Sequence, residues 1–246
     1  MDLGSPPGAL DCHQPHAATA ALQCDRGTGC FGEHWTLNRL LGHGCSARVY
    51  VARGLGAHGG EAACKLAKNV GRVHWPRVVR TFAREAELMR RCHHPNLVEC
   101  LGFFHGEDEL ALLMTLAPGG DCQQLLQRHG ALSERAATAI VQQLAAALHY
   151  MHTGPGVLHR DVKLENVLVS DVGYTATGTP RIKLCDFGHS CLLEGSCHGA
   201  ARDDGFRGTQ GYAAPEVAQP GAPPLWTTAA DVWGVGVVYY ALLANE

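Results

Sequence analysis

The stretch that most restricts what this chain can fold into is His159-Arg160-Asp161-Val162-Lys163-Leu164-Glu165-Asn166-Val167-Leu168, followed downstream by Asp186-Phe187-Gly188. Around it, Val167–Val169 and Ile182–Leu184 have the apolar, β-branched character of two short strands. Asn166 leads directly into the first, and Asp186 comes just after the second. If the strands pair as a hairpin, both residues meet at its open end. An amide oxygen and a carboxylate there suit Mg²⁺, a hard cation that prefers oxygen ligands and keeps its own waters. Asp161, five residues before Asn166, then lies beside them as a base for an incoming hydroxyl. Lys163 can offset charge on a phosphoryl group. A lone Asp or Asn is ordinarily a turn or cap residue, but turn chemistry alone does not account for the whole string at this spacing.

The rest of the chain supplies the frame. Residues 1–33 are rich in Gly, Pro, Ala, His and Cys without a clear period and read as a flexible leader. From Trp35 to Leu66, short apolar runs broken by glycines predict a twisted antiparallel sheet. Val78, Val79, Phe82, Ala86 and Met89 recur at helical spacing and predict a helix over Arg77–Cys92. Strands are expected at Leu97–Phe104 and Leu110–Leu116, before Pro118-Gly119-Gly120 interrupts the chain. Ser133 predicts the N-cap of a long helix whose core face carries Ile140, Val141, Leu144, Leu148 and Met151. The apolar stretch Val232–Leu243 is too short to span a membrane and fits a buried helix. A small sheet with one helix, then a mainly helical part, predicts an α+β chain in two lobes: N-lobe 34–116 and C-lobe 117–246.

Two further features carry chemistry. Leu41-Gly42-His43-Gly44-Cys45-Ser46-Ala47-Arg48-Val49 is a glycine-bearing turn that could close over phosphates, although Gly-x-Gly in a turn is common. Lys65, within Ala62-Ala63-Cys64-Lys65-Leu66, is a cation in an apolar strand, and burying it alone would be costly. Glu85 falls on the apolar face of the following helix, three residues after Phe82 and four before Met89, whereas Glu87 does not. An inward carboxylate needs a cation, so Lys65 and Glu85 are expected to pair and to hold the ammonium against a nucleotide's phosphates.

Taken together, these motifs resemble the protein-kinase signature set, from about Trp35 to the end of the chain. The resemblance implies a two-lobed kinase fold and ATP- and Mg²⁺-dependent phosphoryl transfer to serine or threonine hydroxyls of proteins. Leu41, Gly42, Gly44 and Val49 look like the loop over ATP, and Ala63 lies in the run that carries the strand lysine, Lys65, whose helix partner is Glu85. Met114 resembles the gatekeeper, Thr115 and Ala117 the adenine-binding hinge, Asp121 the ribose-contacting acid and Leu168 the residue beneath adenine. Asp161 looks like the base, and Asn166 and Asp186 look like the metal ligands. Gly208–Glu216 resembles the substrate-binding loop with its Ala-Pro-Glu, and Asp231-Val232-Trp233-Gly234 resembles the start of the central helix, whose acid anchors the catalytic loop. The serine/threonine assignment follows from Lys163. Leu164–Asn166 and Asp121 are similar to the calcium/calmodulin-dependent and AMP-activated group.

Composition narrows the classes. A net charge of -3 argues against a broad nucleic-acid or anionic-membrane surface. The 11 cysteines are odd in number and form no Cys-x-x-Cys, and there is no secretory pattern at the start. Free thiols in a cytoplasmic setting, with access to the nucleus, are expected. Cys45 and Cys185 lie near the expected nucleotide site and are candidates for oxidation, against the plainer reading of idle thiols.

Three departures from the family pattern stand out. The chain ends at Glu246, soon after the Asp231 helix begins, which suggests a fragment. It also raises the alternative of a weak or inactive kinase-like scaffold, with Glu216 unpaired and Val235, Val238, Tyr239 and Leu242 exposed. The usual activation-loop phosphosite falls on Gly205, beside Asp203 and Asp204, whose carboxylates either substitute for phosphate charge or are simply solvated. The loops Asp171–Pro180 and Leu192–Gly208 are long and read as surface insertions.

Overall fold

A computed structural model describes residues 23–24, 31–44, 47–55, 59–69, 71, 74–171, 179–193, 201–202, 208–219 and 224–245. Cys45, Gly205, Asp203, Asp204 and most of the two long loops, for which the sequence carries expectations, lie outside the described residues. The chain forms two compact units. The first holds the described residues up to Ala86 together with Glu99–Leu116, and the second Glu87–Val98 together with Ala117 onward.

The elements run in chain order as β1 (Gln23–Cys24), α1 (Phe31–His34), β2 (Trp35–His43), β3 (Arg48–Gly54), β4 (Glu61–Lys68), α2 (Trp75–Arg91), β5 (Cys100–His105) and β6 (Glu109–Thr115). They continue as α3 (Cys122–His129), α4 (Glu134–Thr153), β7 (Val157–Leu158), β8 (Val167–Val169), β9 (Ile182–Leu184), β10 (Cys191–Leu192), β11 (Ala201–Arg202), α5 (Pro215–Ala218), β12 (Leu225–Trp226) and α6 (Thr228–Ala244).

In the first unit, six strands form one antiparallel sheet in the order β1-β5-β6-β4-β3-β2. The period-two alternation of β4 divides its side chains between the two faces. Ala62, Cys64 and Leu66 join Phe31, Ala52, Phe104, Ala111 and Leu113 in one buried cluster. Ala63, Lys65 and Ala67 take the other face. The leader read as flexible to residue 33 is partly structured. Gln23 and Cys24 pair with His105 and Phe104, and Phe31 is fully buried, edge-on to Phe104 at 5.1 Å. The leader's composition carries no period because so short a strand and helix draw their stability from the sheet beside them.

In the second unit, α4 begins where expected. Ser133 accepts a hydrogen bond from Ala136 N (3.3 Å), and Ile140, Leu144, Leu148 and Met151 are buried at helical spacing. β8 and β9 pair antiparallel as the expected hairpin, with Val167 opposite Leu184 and Val169 opposite Ile182. Asn96 clamps this hairpin to α4, donating to Gln143 Oε1 (3.0 Å) and to Ile182 O (2.9 Å).

α6 packs against α4 and corrects one expectation. Val238 and Leu242, expected on an uncovered face, are fully buried, while Val232, Trp233 and Tyr240 are exposed. The helical phase is set by α4 and the turn leading into it: Leu132 N, just before the Ser133 cap, donates to Leu242 O (2.8 Å), and Tyr239 OH meets Thr138 Oγ1 of α4 (3.0 Å). The same contact leaves Tyr239 partly buried.

Candidate active site

In the first unit the residue group centres on Lys65. Its Nζ donates to Glu85 Oε1 (2.8 Å) and Oε2 (2.9 Å). Glu85 is only 2 % exposed, so its carboxylate depends on that cation. Phe82, one turn earlier on α2, presents its ring 5.7 Å from the ammonium. Glu87 is exposed and pairs with Arg91 instead. The register places Val49 opposite Lys65, Ala63 opposite Met114 and Gly42 opposite Val49. Those alignments gather the expected ATP-facing residues of this unit along adjoining strands. Gly44 N donates to Ala47 O (2.7 Å), closing the turn after β2, and Leu41 is exposed. Thr115 is tied to Glu99: its N–H reaches Glu99 O, and its hydroxyl accepts from Glu99 N, both at 3.1 Å.

In the second unit the loop after β7 builds the other group. Asp161 is 4 % exposed. Its Oδ2 meets Lys163 Nζ at 2.8 Å and accepts from Asn166 Nδ2 at 3.0 Å. Its Oδ1 accepts from Thr209 Oγ1 at 2.9 Å, and Thr209 in turn accepts from Lys163 Nζ at 2.8 Å. Asn166 also donates to Asp161 O (2.7 Å), so its amide nitrogen faces Asp161 and its oxygen is the atom suited to a cation. Thr209 arrives through Gly208, whose φ of +91° and approach to Arg160 O admit no side chain: a Cβ would lie 2.6 Å from that oxygen.

The loop's backbone is held from below by Asp231. Its Oδ2 accepts from His159 N (2.9 Å) and meets His152 Nε2 (2.8 Å), and its Oδ1 accepts from Arg160 N (2.8 Å). α6 approaches closely because residue 234 is glycine; a Cβ there would lie 2.9 Å from Val162 Cβ. Arg160 takes a φ of +68° and Asp186 one of +65°, both unusual for residues with side chains. Asp186 Oδ1 accepts from Gly188 N (3.3 Å), and Cys185 N donates to Asn166 O (2.9 Å), bringing Asn166 to the open end of the β8–β9 hairpin beside Asp186. His159 joins the two motifs: its Nε2 meets Cys185 O (2.9 Å) and its ring stands edge-on to Phe187 at 5.7 Å.

Asp121 caps α3, its Oδ1 accepting from Gln124 N (2.8 Å), and bridges to Leu168. Ala117 and Leu168 are half-buried. Among the described residues no cluster of three or more His, Cys, Asp or Glu could cage a metal. One carboxylate and one amide oxygen fit a hard cation that takes its other ligands from water and phosphate. Cys64, Cys92 and Cys122 are free, buried thiols. Burial pushes the Cys92 thiol up to about 11 and the Cys122 thiol up to about 12, and raises Cys64 further, so these three are poor nucleophiles.

Residues 35–246 match the protein kinase domain family. The chain is 37% identical over 226 residues to CBL-interacting protein kinase 4 of Oryza sativa subsp. japonica, covering 86% of this chain and 44% of that protein. It is 31% identical to Aurora kinase of Dictyostelium discoideum, covering 87% of this chain and 51% of that protein. It is 32% identical to serine/threonine-protein kinase cds1 of Schizosaccharomyces pombe, covering 68% and 35%. The fold and these likenesses make the chain a member of the protein kinase family, with an antiparallel-sheet unit and a mainly helical unit as its resemblance implied. That family uses ATP and a divalent cation to phosphorylate proteins. The chain spans about half or less of the length of these curated relatives. Among the described residues no helix is long and apolar enough to cross a membrane.

Thr209 was not singled out from the sequence, although it lies in the Gly208–Glu216 run. Its spacing from Lys163 carries no local signal, because the contact spans 46 residues.

Proposed function

We propose that this chain transfers the γ-phosphoryl group of Mg-ATP to serine or threonine hydroxyls of protein substrates. The observation that carries the reading is the Asp161–Lys163–Asn166–Thr209 network, which holds a buried carboxylate with both oxygens oriented. Asp161 accepts the proton of the incoming hydroxyl as its oxygen attacks phosphorus. Lys163 offsets the negative charge spreading over the transferred group. Lys65, aligned by Glu85, orients the nucleotide phosphates, with Leu41, Gly42, Gly44, Val49, Ala63 and Met114 of the first unit framing the base and loop. Thr115, Ala117, Asp121 and Leu168 complete the adenosine contacts. Asn166 and Asp186 would hold Mg²⁺, which supplies charge neutralisation at the phosphates when bound. Catalysis then rests on positioning and electrostatics rather than on a covalent intermediate.

The division into a leader over 1–33, an ATP-binding N-lobe over 34–116 and a substrate-binding C-lobe over 117–246 belongs to this proposal. Free thiols support a cytoplasmic setting with access to the nucleus. The net charge of -3 gives no support to a nucleic-acid partner.

The test is transfer of labelled γ-phosphate to a serine/threonine/tyrosine peptide pool. Label on serine or threonine is expected, with kcat falling about 10³-fold in Asp161→Asn. No transfer by folded, ATP-binding protein would replace this reading with that of a kinase-like scaffold.

A further inference from the structure

Trp226 has no place in the chemistry assigned so far, yet it is buried against the loop that carries Asp161. It is 3 % exposed, and its indole Nε1 is buried with no hydrogen-bond partner among the described residues. An indole placed this way forfeits the hydrogen bond that usually accompanies its burial. The ring also packs in a buried apolar cluster with Leu158, Cys191, Ala214, Val217 and Ala230, so filling that space is the plainer role against which any further one is tested.

The ring faces a cation. The Arg160 guanidinium carbon lies 5.5 Å from the Trp226 ring centroid, within the range of a cation–π contact, and tryptophan offers the strongest face for one. Arg160 is itself 5 % exposed, so the contact is withdrawn from water, where it is worth most. The guanidinium Nε also donates to His189 O at 2.5 Å. Arg160 therefore spans from the segment just after Asp186-Phe187-Gly188 to the ring on β12. The backbone of Trp226 is held in the two-stranded β11–β12 ladder, opposite Ala201.

What Arg160 does there matters because of its backbone. Its φ of +68° is a conformation that long side chains avoid, and Asp161 is the next residue. Asp231 holds the Arg160 N–H, which fixes the backbone from one side. The side chain, held by His189 O and the Trp226 ring, is a further handle on that conformation.

We propose that Trp226 is a positioning residue: its ring holds the Arg160 guanidinium by a cation–π contact and thereby keeps the strained backbone that aims the Asp161 carboxylate. The proposal rests on the phosphoryl-transfer reading for its kinetic consequence, but the contact can be read without it. Trp226 and Arg160 belong to the second unit, whereas Lys65 and Glu85 belong to the first. Weakening the contact lowers kcat and leaves the KM for Mg-ATP unchanged.

The experiment replaces Trp226 in the full chain, site-specifically, with mono-, di- and trifluorotryptophan. These withdraw electron density from the ring face stepwise with little change in size. Three quantities are followed: phosphate transfer to the peptide pool, thermal melting, and solvent exchange of the Arg160 Nε–H by NMR. The expected result is a stepwise fall in kcat of about tenfold across the series. KM for Mg-ATP and melting temperature stay constant, and Arg160 Nε–H exchange quickens in parallel. In an Arg160→Met background the fluorine dependence disappears. A flat kcat together with flat exchange means that Trp226 only fills space and overturns the proposal, as does a dependence that persists in Arg160→Met. If the unsubstituted chain transfers no phosphate, the functional reading fails on its own. The exchange series then decides the contact alone: faster exchange with fluorination supports it, and flat exchange overturns it.

Discussion

The Lys65–Glu85 pair and the Asp161 loop solve the same problem, a functional charge held out of water, in opposite ways. Lys65 is oriented by one carboxylate presented from one helix, with an aromatic ring beside it. Asp161 is held by Lys163, Asn166 and Thr209, the backbone leading into it is tied down by Asp231, and its own N–H donates to His159 Nδ1. A single buried ion pair is easily misaligned by any shift of its helix, whereas a shared network keeps its geometry when one member moves. The first arrangement suits an element whose position is adjustable; the second suits a loop that must stay rigid. The contrast teaches that the two groups should fail differently, one in activity alone and the other in activity and stability together.

The sharpest break should come from Asp231→Ala. It strands the His159 and Arg160 N–H groups and His152 in a buried place, and the expected loss is about 3–5 kcal/mol of stability, read by chemical denaturation. An unchanged midpoint would mean that the loop does not depend on α6. Glu85→Gln should do the reverse. It removes the charge that aligns Lys65 while leaving a similar shape, so kcat/KM for ATP should fall about 10²-fold with a much smaller loss of stability. Equal losses of stability in the two variants would erase the distinction. Thr209→Val keeps the volume but removes the hydroxyl shared by Asp161 and Lys163. Losing hydrogen bonds to charged groups predicts a fall in kcat of roughly thirtyfold, about 2 kcal/mol, without a change in ATP affinity.

The smallest effect concerns pH. Burial, reinforced by Lys183, lowers the His94 imidazole below its usual value of 6.5. The folded state therefore binds the proton less readily than the unfolded chain. The stability this represents is present above 6.5 and is lost as pH falls through the lowered folded value. Melting temperature should decline on acidification below pH 6.5, and His94→Gln should flatten that slope. Parallel slopes in the two proteins would remove His94 from the account.

Much of the site was readable because its chemistry is local in sequence. Asp161, Lys163 and Asn166 lie within one short loop, and the hairpin that brings Asn166 beside Asp186 follows from two apolar runs. The Lys65–Glu85 pair was legible from a mismatch, a carboxylate on an apolar helix face and an ammonium in an apolar strand. Other features were not. Phe31 lies in a stretch without period, and only the sheet it covers makes it a core residue. The α6 sequence is apolar nearly all round, so it does not itself say which face is buried; the expectation of an uncovered face looked to further helices for its cover, whereas α4 buries Val238 and Leu242.

By itself, then, the sequence determined the class of fold, the strands and helices, and the identity of the groups that carry charge at the site, because hydrophobic period and motif spacing act over short distances along the chain. Only the tertiary structure decided the phase of α6, the burial of Phe31, the reach of Thr209 to Asp161 across 48 residues and the seat of Arg160 on Trp226. Those contacts join residues far apart in sequence. Their partners are selected by packing and by the need to satisfy buried polar groups once the chain has closed.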